Sequence, residues 1–339
     1  MIQVRRAPIR VALDTNIWSY LGDAGAAAEF QRLVEGRGLV VHIPPSTLLE
    51  VMRLRAGEPR SRIVKVMSHA RRVRLPSEAE LESSEVVNEA HRCRPRWLRQ
   101  FPNTGRVASF NTYWTKGVWR EAQEKPERMH AFLVGDMRES DLLLHVQRSN
   151  RSAALRDNFD PADLSHLEIS APDLNDAARA RVAPGWNGRP IAAWRFDCRG
   201  IYWYALKEVY QRSLLTGEDA TYADWVGAYV DLTRMTADPE DFTKFWFEDV
   251  ERTSLQRNWL RWAVSQAQTS MKITPGNPFD GQHGAYHLDY DLYLSADKDY
   301  IKALNIVRGH AGFAMAEPRL VSGDTDSCIV DRIDAAIVT

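Results

Sequence analysis

Four acidic residues occupy equivalent points of the sequence, each beside a short apolar run or near the start of a helix. They are Asp14, Glu50, Asp280 and Asp297. Carboxylates gathered in one place repel one another unless a cation neutralises them, and hard oxygen ligands suit Mg²⁺ or Mn²⁺. A metal ion bound in this way activates water and stabilises phosphoryl oxygens during an in-line displacement. The residue types therefore favour metal-assisted phosphodiester hydrolysis, provided that the fold brings the four together.

Each acid also has a purely structural interpretation. Asp14 fits an Asx turn or a helix N-cap at a strand-to-helix junction. Glu50 follows Thr47 by three residues, which is the spacing of a capping box. Asp280 fits an N-cap, where a negative charge is favourable, and Asp297 fits a turn. Four such coincidences at one edge of a sheet are less expected than a site.

Two strands and two helices predicted at the start of the chain place the first two acids. The apolar runs 9–13 and 39–43 predict buried strands, and 16–35 predicts a helix that Gly36 and Gly38 terminate. A second helix opens after Pro44-Pro45 and runs to Leu54. This β-α-β-α order begins a doubly wound parallel sheet, whose ligands bind at the carboxyl ends of the strands.

A similar alternation of strands and helices is predicted near the end of the chain. We expect a short helix over 277–288, a strand over 290–295, a helix over 300–308 and a last strand over 318–322. All four acids then lie on the carboxyl-end side of one sheet. Residues 323–339 are acidic and weakly patterned, which predicts a peripheral segment.

The long span between these halves has mostly helical periodicity. Examples are 127–148, 199–215, 222–235 and 255–270, whereas 149–192 is rich in Pro, Gly and Asp and predicts loops. The simplest organisation is one discontinuous α/β domain formed by 1–54 and 271–339. A mostly α-helical insertion, 55–270, interrupts it at a point where the ends of the domain lie close in space.

Composition limits the class of protein. The chain has 339 residues and a net charge of −1, so any nucleic-acid surface must be local. Its three cysteines are widely spaced and form no CxxC pair, which argues against disulfides and thiolate zinc and favours a reducing cytoplasm. No apolar run approaches the roughly 18 residues that a membrane span needs. We therefore expect a cytoplasmic protein without membrane contact.

Several segments together resemble the PIN-domain nucleases. They are Val-Ala-Leu-Asp14-Thr15-Asn16, Ile-Pro-Pro-Ser-Thr-Leu-Leu-Glu50-Val, Asp280-Gly-Gln-His283 and Leu-Ser295-Ala-Asp297-Lys298-Asp299. The resemblance covers roughly 9–54 and 271–322, about a third of the chain, and the first segment is its most specific part. It implies a three-layer α/β/α domain with a central parallel sheet. It also implies an Mg²⁺- or Mn²⁺-dependent ribonuclease, and many members of that family are toxins of toxin–antitoxin pairs.

The resemblance also implies roles for individual residues. Asp14, Glu50, Asp280 and Asp297 would be the catalytic metal ligands. Thr15 or Asn16, together with Ser295, would orient carboxylates or contact phosphate from behind the ligands. Asp299 would add a water-mediated contact. Asp289 and Asp291 lie close enough in sequence to compete with Asp280 for the third acidic position.

Two histidines follow Asp280 at helical spacing. His283 and His287 are four residues apart, which would place both on one helix face, but no Glu follows His283 as in a zinc-protease motif. We expect a structural or phosphate-contact role for His283 and a packing role for His287.

A basic, aromatic stretch lies within the predicted insertion. Residues 91–120 contain seven Lys or Arg and no Asp or Glu, with aromatic residues interleaved. Basic groups neutralise phosphates and aromatic rings stack on unpaired bases. The alternative is a solvated basic face whose aromatics are buried in the insertion's core. The nucleic-acid hypothesis assigns contact to Arg92, Arg94, Arg96, Trp97, Arg99 and Lys116.

The sequence thus predicts a metal-dependent endoribonuclease that uses activated water, with a toxin-like or defence role. RNA is preferred to DNA on the resemblance alone. The alternatives are a DNA-acting nuclease of the same chemistry, or a non-catalytic module that binds nucleic acid or protein. The expected partners are nucleic acid, an antitoxin-like inhibitor protein and a second copy of the chain.

Overall fold

A five-stranded parallel sheet organises the structure, which is a computed structural model. It describes residues 7–135, 144–145, 147–149, 151–152, 163–171, 174–217, 221–272, 277–323 and 326–338. The strands of the sheet are β1 (Ile9–Leu13), β2 (Leu39–Ile43), β3 (Val73–Arg74), β6 (Leu292–Ser295) and β7 (Glu317–Leu320). A separate antiparallel pair consists of β4 (Glu168–Ile169) and β5 (Ile191–Ala192). The predicted α/β class with a parallel sheet is confirmed.

The order of the strands is β3-β2-β1-β6-β7, with β1 at the centre. Val11 pairs with Val41 of β2 on one side and with Leu292 of β6 on the other. The chain builds outward from β1 to β2 and β3 in one direction and, about 220 residues after β3, to β6 and β7 in the opposite direction, so the strand order reverses beside β1. In open α/β sheets such a reversal opens a crevice at the carboxyl ends of the strands, where ligands bind.

Helices make up most of the remainder. The first five are α1 (Thr15–Asp23), α2 (Ala27–Gly36), α3 (Pro45–Met52), α4 (Gly57–Met67) and α5 (Glu78–Cys93). The later ones are Thr104–Thr112, Val118–Glu124, Pro126–Gly135, Asp176–Val182, Ala193–Trp203, Tyr210–Thr216, Thr221–Gly227, Leu232–Met235, Pro239–Lys244, Gln256–Gln268, Asn277–Gly284, Lys298–Ala311 and Ile329–Val338. Short π segments occupy Tyr113–Gly117, Tyr204–Val209 and Phe245–Asp249, and short 3₁₀ segments occupy Pro95–Trp97 and Leu164–His166.

The two faces of the sheet are buried against different hydrophobic clusters. Successive strand residues point to opposite faces. Val11 and Leu13 of β1 accordingly pack with α1 to α4 and the helix Ile329–Val338, whereas Ala12 packs into a second cluster. Tyr293 of β6 joins that second cluster, together with Leu260 of the helix Gln256–Gln268. The sheet is therefore a middle layer between two helical layers.

Helices of the predicted insertion form part of both layers, since Ile63 of α4 and Trp119 lie in the first cluster. The second cluster contains residues of α5 and of the helices Ala193–Trp203 and Gln256–Gln268, as well as residues of the helix Lys298–Ala311. The sheet also extends past the boundary expected at residue 54, because Val73 of β3 pairs with His42 of β2. The inserted segment therefore shares its core with the sheet.

Two local predictions are wrong. The helix expected over 16–35 is interrupted: α1 ends at Asp23 and α2 begins at Ala27, with Gly25 between them at a positive φ of 62°. The segment 323–339 includes the helix Ile329–Val338, whose residues Ile329, Ile333 and Ala336 are buried. Its apolar spacing places that helix in the core that covers one face of the sheet.

Most other elements agree with the sequence. The strands over 9–13 and 39–43 have the expected bounds, and 318–322 is shifted by only one or two residues, to Glu317–Leu320. The helix expected over 127–148 is described as Pro126–Gly135, and much of its remainder lies outside the described residues. A helix long and apolar enough to span a membrane is not found in the described part of the chain.

Candidate functional site

Asp14 lies at the carboxyl end of the central strand and is 9% exposed. Its backbone N–H donates to Leu294 O across the sheet at 2.9 Å. Its carboxylate accepts hydrogen bonds from the backbone N–H of Thr15 and from Asn16 Nδ2, each at 2.7 Å, and from the hydroxyl of Ser295. The N-cap interpretation of Asp14 is thus correct, and the same carboxylate also joins β1 to β6.

Glu50 reaches the same edge from α3. The capping-box alternative for Glu50 is wrong, because Pro44 occupies the N-cap of α3 and no side chain caps that helix. Oε2 of Glu50 accepts instead from the hydroxyl of Thr15 at 2.5 Å and lies 3.2 Å from Nε2 of His283. Thr15 therefore contacts two acids, Asp14 through its backbone and Glu50 through its side chain.

Asp280 and His283 come from the helix Asn277–Gly284, which we call the Asp280 helix. Oδ2 of Asp280 accepts from Nε2 of Gln268 at 2.6 Å, and its backbone carbonyl accepts from the hydroxyl of Tyr300 at 3.2 Å. His283 is 2% exposed and its Nδ1 lies 2.9 Å from Oγ of Ser46, the second residue of α3. The helix thus supplies one acid and one imidazole to the site.

The two competitors of Asp280 are engaged elsewhere. Asp289 forms a two-pronged ion pair with Arg257, with the shorter distance at 2.5 Å. Asp291 pairs with Arg10, whose Nη2 lies 2.7 Å from Oδ1. Each of these carboxylates has its counter-charge, whereas the carboxylate of Asp280 faces other carboxylates. Asp280 is therefore the strongest candidate for the third acid.

The acids perturb one another electrostatically. Burial, followed by the charge of Glu50, raises the pKa of Asp14 above its ordinary value. Burial and the charge of Asp14 raise the pKa of Asp280 well above its ordinary value. Like charges in a poorly solvated place disfavour ionisation, so each of these carboxylates makes the charged form of its neighbour less favourable.

Glu50 and His283 form the exception. Burial alone would raise the pKa of Glu50, but the hydrogen bond and charge of His283 outweigh burial and hold that pKa below its ordinary value. Burial opposes protonation of His283, yet the bond to Glu50 and the charges of Asp14 and Asp280 raise its pKa. The three acids therefore favour the positively charged form of His283.

Asp297 has a different environment. It is exposed and caps the helix Lys298–Ala311, since its Oδ1 accepts from the backbone N–H groups of Asp299 at 2.8 Å and Tyr300 at 3.0 Å. Its own N–H donates to Oγ of Ser295 at 2.9 Å, and that hydroxyl also bonds to Asp14. Asp297 is therefore one hydrogen-bonded residue away from Asp14, and it is the N-cap of a helix where the sequence suggested a turn. Asp299 is exposed in the first turn of the same helix.

The fit of a metal ion rests on donor chemistry. Asp14, Glu50 and Asp280 offer carboxylate oxygens to one crevice, and such oxygens are the preferred ligands of Mg²⁺ and Mn²⁺. Within the described residues, however, no three acids, histidines or cysteines are grouped closely enough to form a ready ligand shell. Glu50 is held by Thr15 and His283 instead. The donors fit a hard cation, and both of these contacts of Glu50 use its Oε2 atom.

The basic stretch is mostly paired within the protein. Arg92 forms a bidentate pair with Glu89, with distances of 3.0 and 2.6 Å, and Arg94 pairs with Asp241 at 3.0 Å and with Asp249 at 2.7 Å. Carboxylates already neutralise these guanidinium groups. They are consequently weaker candidates for phosphate contacts than unpaired basic groups, and the nucleic-acid role of Arg92 and Arg94 stays a prediction.

The other four residues assigned to nucleic-acid contact differ in their environments. Trp97 is 2% exposed and packs against Phe245, with ring centroids 5.2 Å apart, so it is a core residue and not a stacking platform. Arg96 pairs with Asp241 at 2.6 Å, and Nε of Arg99 donates to the carbonyl of Gly227 at 2.6 Å. Lys116 is exposed and stays a candidate for phosphate contact.

A surface cavity of about 300 Å³ offers better aromatic platforms than Trp97 does. It is lined by Leu49, Tyr113, Trp114, Val118, Glu121, Lys125, Arg128, Met129, Phe132 and Leu133. Phe132 is 77% exposed and Tyr113 is 42% exposed. Because Leu49 precedes Glu50 on α3, the cavity opens on the same short helix that carries one of the acids.

Several residues of the site carry no sequence signal that we recognised. Gln268 ends a helix of the insertion and contacts Asp280, but nothing near it in sequence relates it to the acids. Ser46 follows Pro44-Pro45, and the sequence predicts only that it lies at the start of a helix, not that it contacts His283. His287 agrees with its predicted packing role, because it is fully buried among Tyr290, Tyr293 and Tyr300.

Comparison of this chain with protein-family models, with curated proteins and with solved structures found no match.

Proposed function

We propose that the protein is an Mg²⁺- or Mn²⁺-dependent endonuclease that cleaves phosphodiester bonds, with RNA as the favoured substrate. One observation carries the proposal. Thr15 contacts both Asp14 of β1 and Glu50 of α3, and His283 of the Asp280 helix lies 3.2 Å from Glu50, so three elements bring acids to one edge of the sheet. Beyond burial, the charges of Asp14 and Glu50 raise the pKa of Asp280. Buried like charges are costly, so their collection at one point indicates a function that needs them.

Asp14, Glu50 and Asp280 would hold the ion, which would supply activation of water and stabilisation of the phosphoryl oxygens. The remaining residues of the site hold these carboxylates in place. Thr15 and Ser295 donate hydrogen bonds to the charged forms of Glu50 and Asp14, which orients both side chains. Asp297, as the capping residue next to Ser295, would contribute from a second position.

Contact with single-stranded nucleic acid finds support in the cavity beside α3. Its exposed rings, Tyr113 and Phe132, suit stacking on unpaired bases, and the exposed Lys125 and Arg128 lie at the same cavity. The preference for RNA rests on the resemblance to PIN-domain nucleases alone. The cytoplasmic location, the antitoxin-like inhibitor and the homodimer also stay predictions.

Cleavage of matched labelled RNA and DNA oligonucleotides in Mn²⁺, Mg²⁺ or EDTA tests the proposal. Asp14→Asn and Glu50→Gln should abolish cleavage because each removes a ligand charge while conserving shape. Asp291→Asn is the matched control, since Asp291 pairs with Arg10 away from the crevice. We expect the control to cleave at the wild-type rate.

A thermal melt with and without Mn²⁺ provides an independent readout. Saturation at about 100 times the Kd stabilises a folded protein by about 2.7 kcal/mol, and Asp14→Asn should remove that stabilisation. If the wild-type protein neither cleaves nor responds to either metal, the proposal is wrong and a non-catalytic module is favoured. Cleavage of DNA but not RNA would favour the DNA-acting alternative.

A further inference from the structure

The Asp280 helix packs unusually closely against the last helix of the insertion, Gln256–Gln268. A Cβ built on Gly281 would lie 2.7 Å from Oγ of Ser265, and one built on Gly284 would lie 3.3 Å from the carbonyl oxygen of Leu260. A side chain at either position would force the facing residues of Gln256–Gln268 to shift. Gly281 and Gly284 therefore permit the two helices to pack at this separation.

The glycines and the functional residues alternate along this helix. Asp280 and His283 each precede one of the glycines, and consecutive helix residues point about 100° apart. One face of the helix thus contacts the insertion through Gly281 and Gly284 while the adjacent face presents Asp280 and His283 to the acids. A rotation or translation of the helix relative to the insertion would move both functional side chains.

Gln268 adds a direct contact across the same interface. It is 3% exposed, and its Nε2 donates to Oδ2 of Asp280 at 2.6 Å. Its Oε1 is buried and has no hydrogen-bond partner among the described residues. A buried amide with an unsatisfied oxygen is destabilising by itself, so its presence calls for a role that an apolar residue would not fill.

We propose that the insertion is a working part of the site and that Gln268 is the positioning residue for the Asp280 carboxylate. The amide of Gln268 holds Oδ2 of Asp280 so that the carboxylate faces Asp14 and Glu50. The close packing at Gly281 and Gly284 positions the Asp280 helix itself. The affinity for a divalent cation then depends on a residue of the helix Gln256–Gln268. This inference rests on the proposed function and names a second source of its metal affinity.

Gln268→Met tests the inference, because methionine has nearly the same length and shape but cannot donate to Asp280. Gln266→Met is the matched control: the same change on the same helix, at a half-buried side chain that forms no hydrogen bond to the three acids in the described structure. Binding of Mn²⁺ is measured directly by the loss of the free-ion signal in electron paramagnetic resonance. Circular dichroism and melting in EDTA establish that each variant folds.

We expect Gln268→Met to weaken Mn²⁺ binding by about 10- to 100-fold, the usual effect of removing an outer hydrogen bond from a ligand, and Gln266→Met to leave it unchanged. In an Asp280→Asn background, Gln268→Met should have little further effect, because the two residues act as a unit. Cleavage by Gln268→Met should recover most of the wild-type kcat at saturating Mn²⁺, which a purely structural defect would not allow.

The outcomes separate this inference from the proposed function. If wild-type protein binds Mn²⁺ and Gln268→Met binds it equally well, Gln268 is not a positioning residue and the inference is overturned. An additive effect of Gln268→Met and Asp280→Asn would overturn it as well. If the wild-type protein itself binds no Mn²⁺, the failure belongs to the proposed function.

Discussion

The hydroxyl of Thr15 provides the most direct way to test how the site is built. It donates to Oε2 of Glu50 at 2.5 Å, and Thr15 is 8% exposed, so little water is available to replace it. Thr15→Val removes the hydroxyl with almost no change of shape. Thr15→Ser keeps the hydroxyl and loses only a methyl group. Both substitutes can occupy the first turn of α1, where the backbone N–H of residue 15 caps against Asp14.

The expected magnitude follows from the charge of the acceptor. A hydrogen bond to a charged group contributes about 1.5–3 kcal/mol, and the Glu50 side chain is 29% exposed, so solvent replaces the lost donor only in part. Valine and threonine have similar helix propensities, so local propensity cancels in the comparison. We therefore expect Thr15→Val to lower the free energy of unfolding by about 1.5–3 kcal/mol relative to Thr15→Ser. Activity should fall by about 10- to 100-fold, as for other residues that orient metal ligands.

Urea unfolding at pH 7 in EDTA measures the stability term, and Mn²⁺-dependent cleavage measures the catalytic term. EDTA matters because a bound ion would add its own stabilisation to both variants. Equal stability and equal activity of Thr15→Val and Thr15→Ser would refute the reasoning, because the contact between Thr15 and Glu50 would then contribute nothing. A loss of stability without a loss of activity would mean that Glu50 supports the fold and not the reaction.

Two further predictions concern pH. In EDTA, Asp14→Asn should raise the Tm at pH 7, because burial and Glu50 raise the pKa of Asp14 and make its ionised form unfavourable in the folded state. That gain should shrink as the pH falls toward 3.8, the ordinary value for Asp, and a gain independent of pH would contradict the reasoning. Burial lowers the pKa of His287 to about 3 from 6.5, so the wild-type protein should lose stability as the pH falls below 6.5. His287→Phe should remove about 2–3 kcal/mol of this loss at pH 4.5, and melting curves of the two proteins that fall in parallel with pH would refute it.

The sequence predicted the strands at the start of the chain well, because the patterns that indicate them are local. The apolar runs that became β1 and β2 are flanked by polar or proline residues, and their parallel pairing follows from the helices between them. The break between α1 and α2 was not predicted from the sequence. Gly25 adopts a positive φ there, but alanines on both sides preserve the helical pattern.

The basic stretch shows how composition can mislead. Counting charges along 91–120 identified a positive segment, yet the counter-charges of Arg94 are Asp241 and Asp249, more than a hundred residues away in sequence. A linear count omits partners that only folding supplies. The exposed rings Tyr113 and Phe132 could not be distinguished from the buried Trp97 for the same reason.

By itself, the sequence determined the strands, the positions of the acids relative to the ends of those strands, and hence the edge of the sheet to which Asp14, Glu50 and Asp280 belong. These follow from residue-to-residue patterns and from the geometry of parallel sheets. Tertiary structure alone decided which neighbours each carboxylate has: Thr15 and His283 at Glu50, Ser295 at Asp14, and Gln268 at Asp280. Most of those contacts join segments that are distant in the chain. Helix packing brings the segments together, and the local sequence pattern around each residue does not indicate its partner.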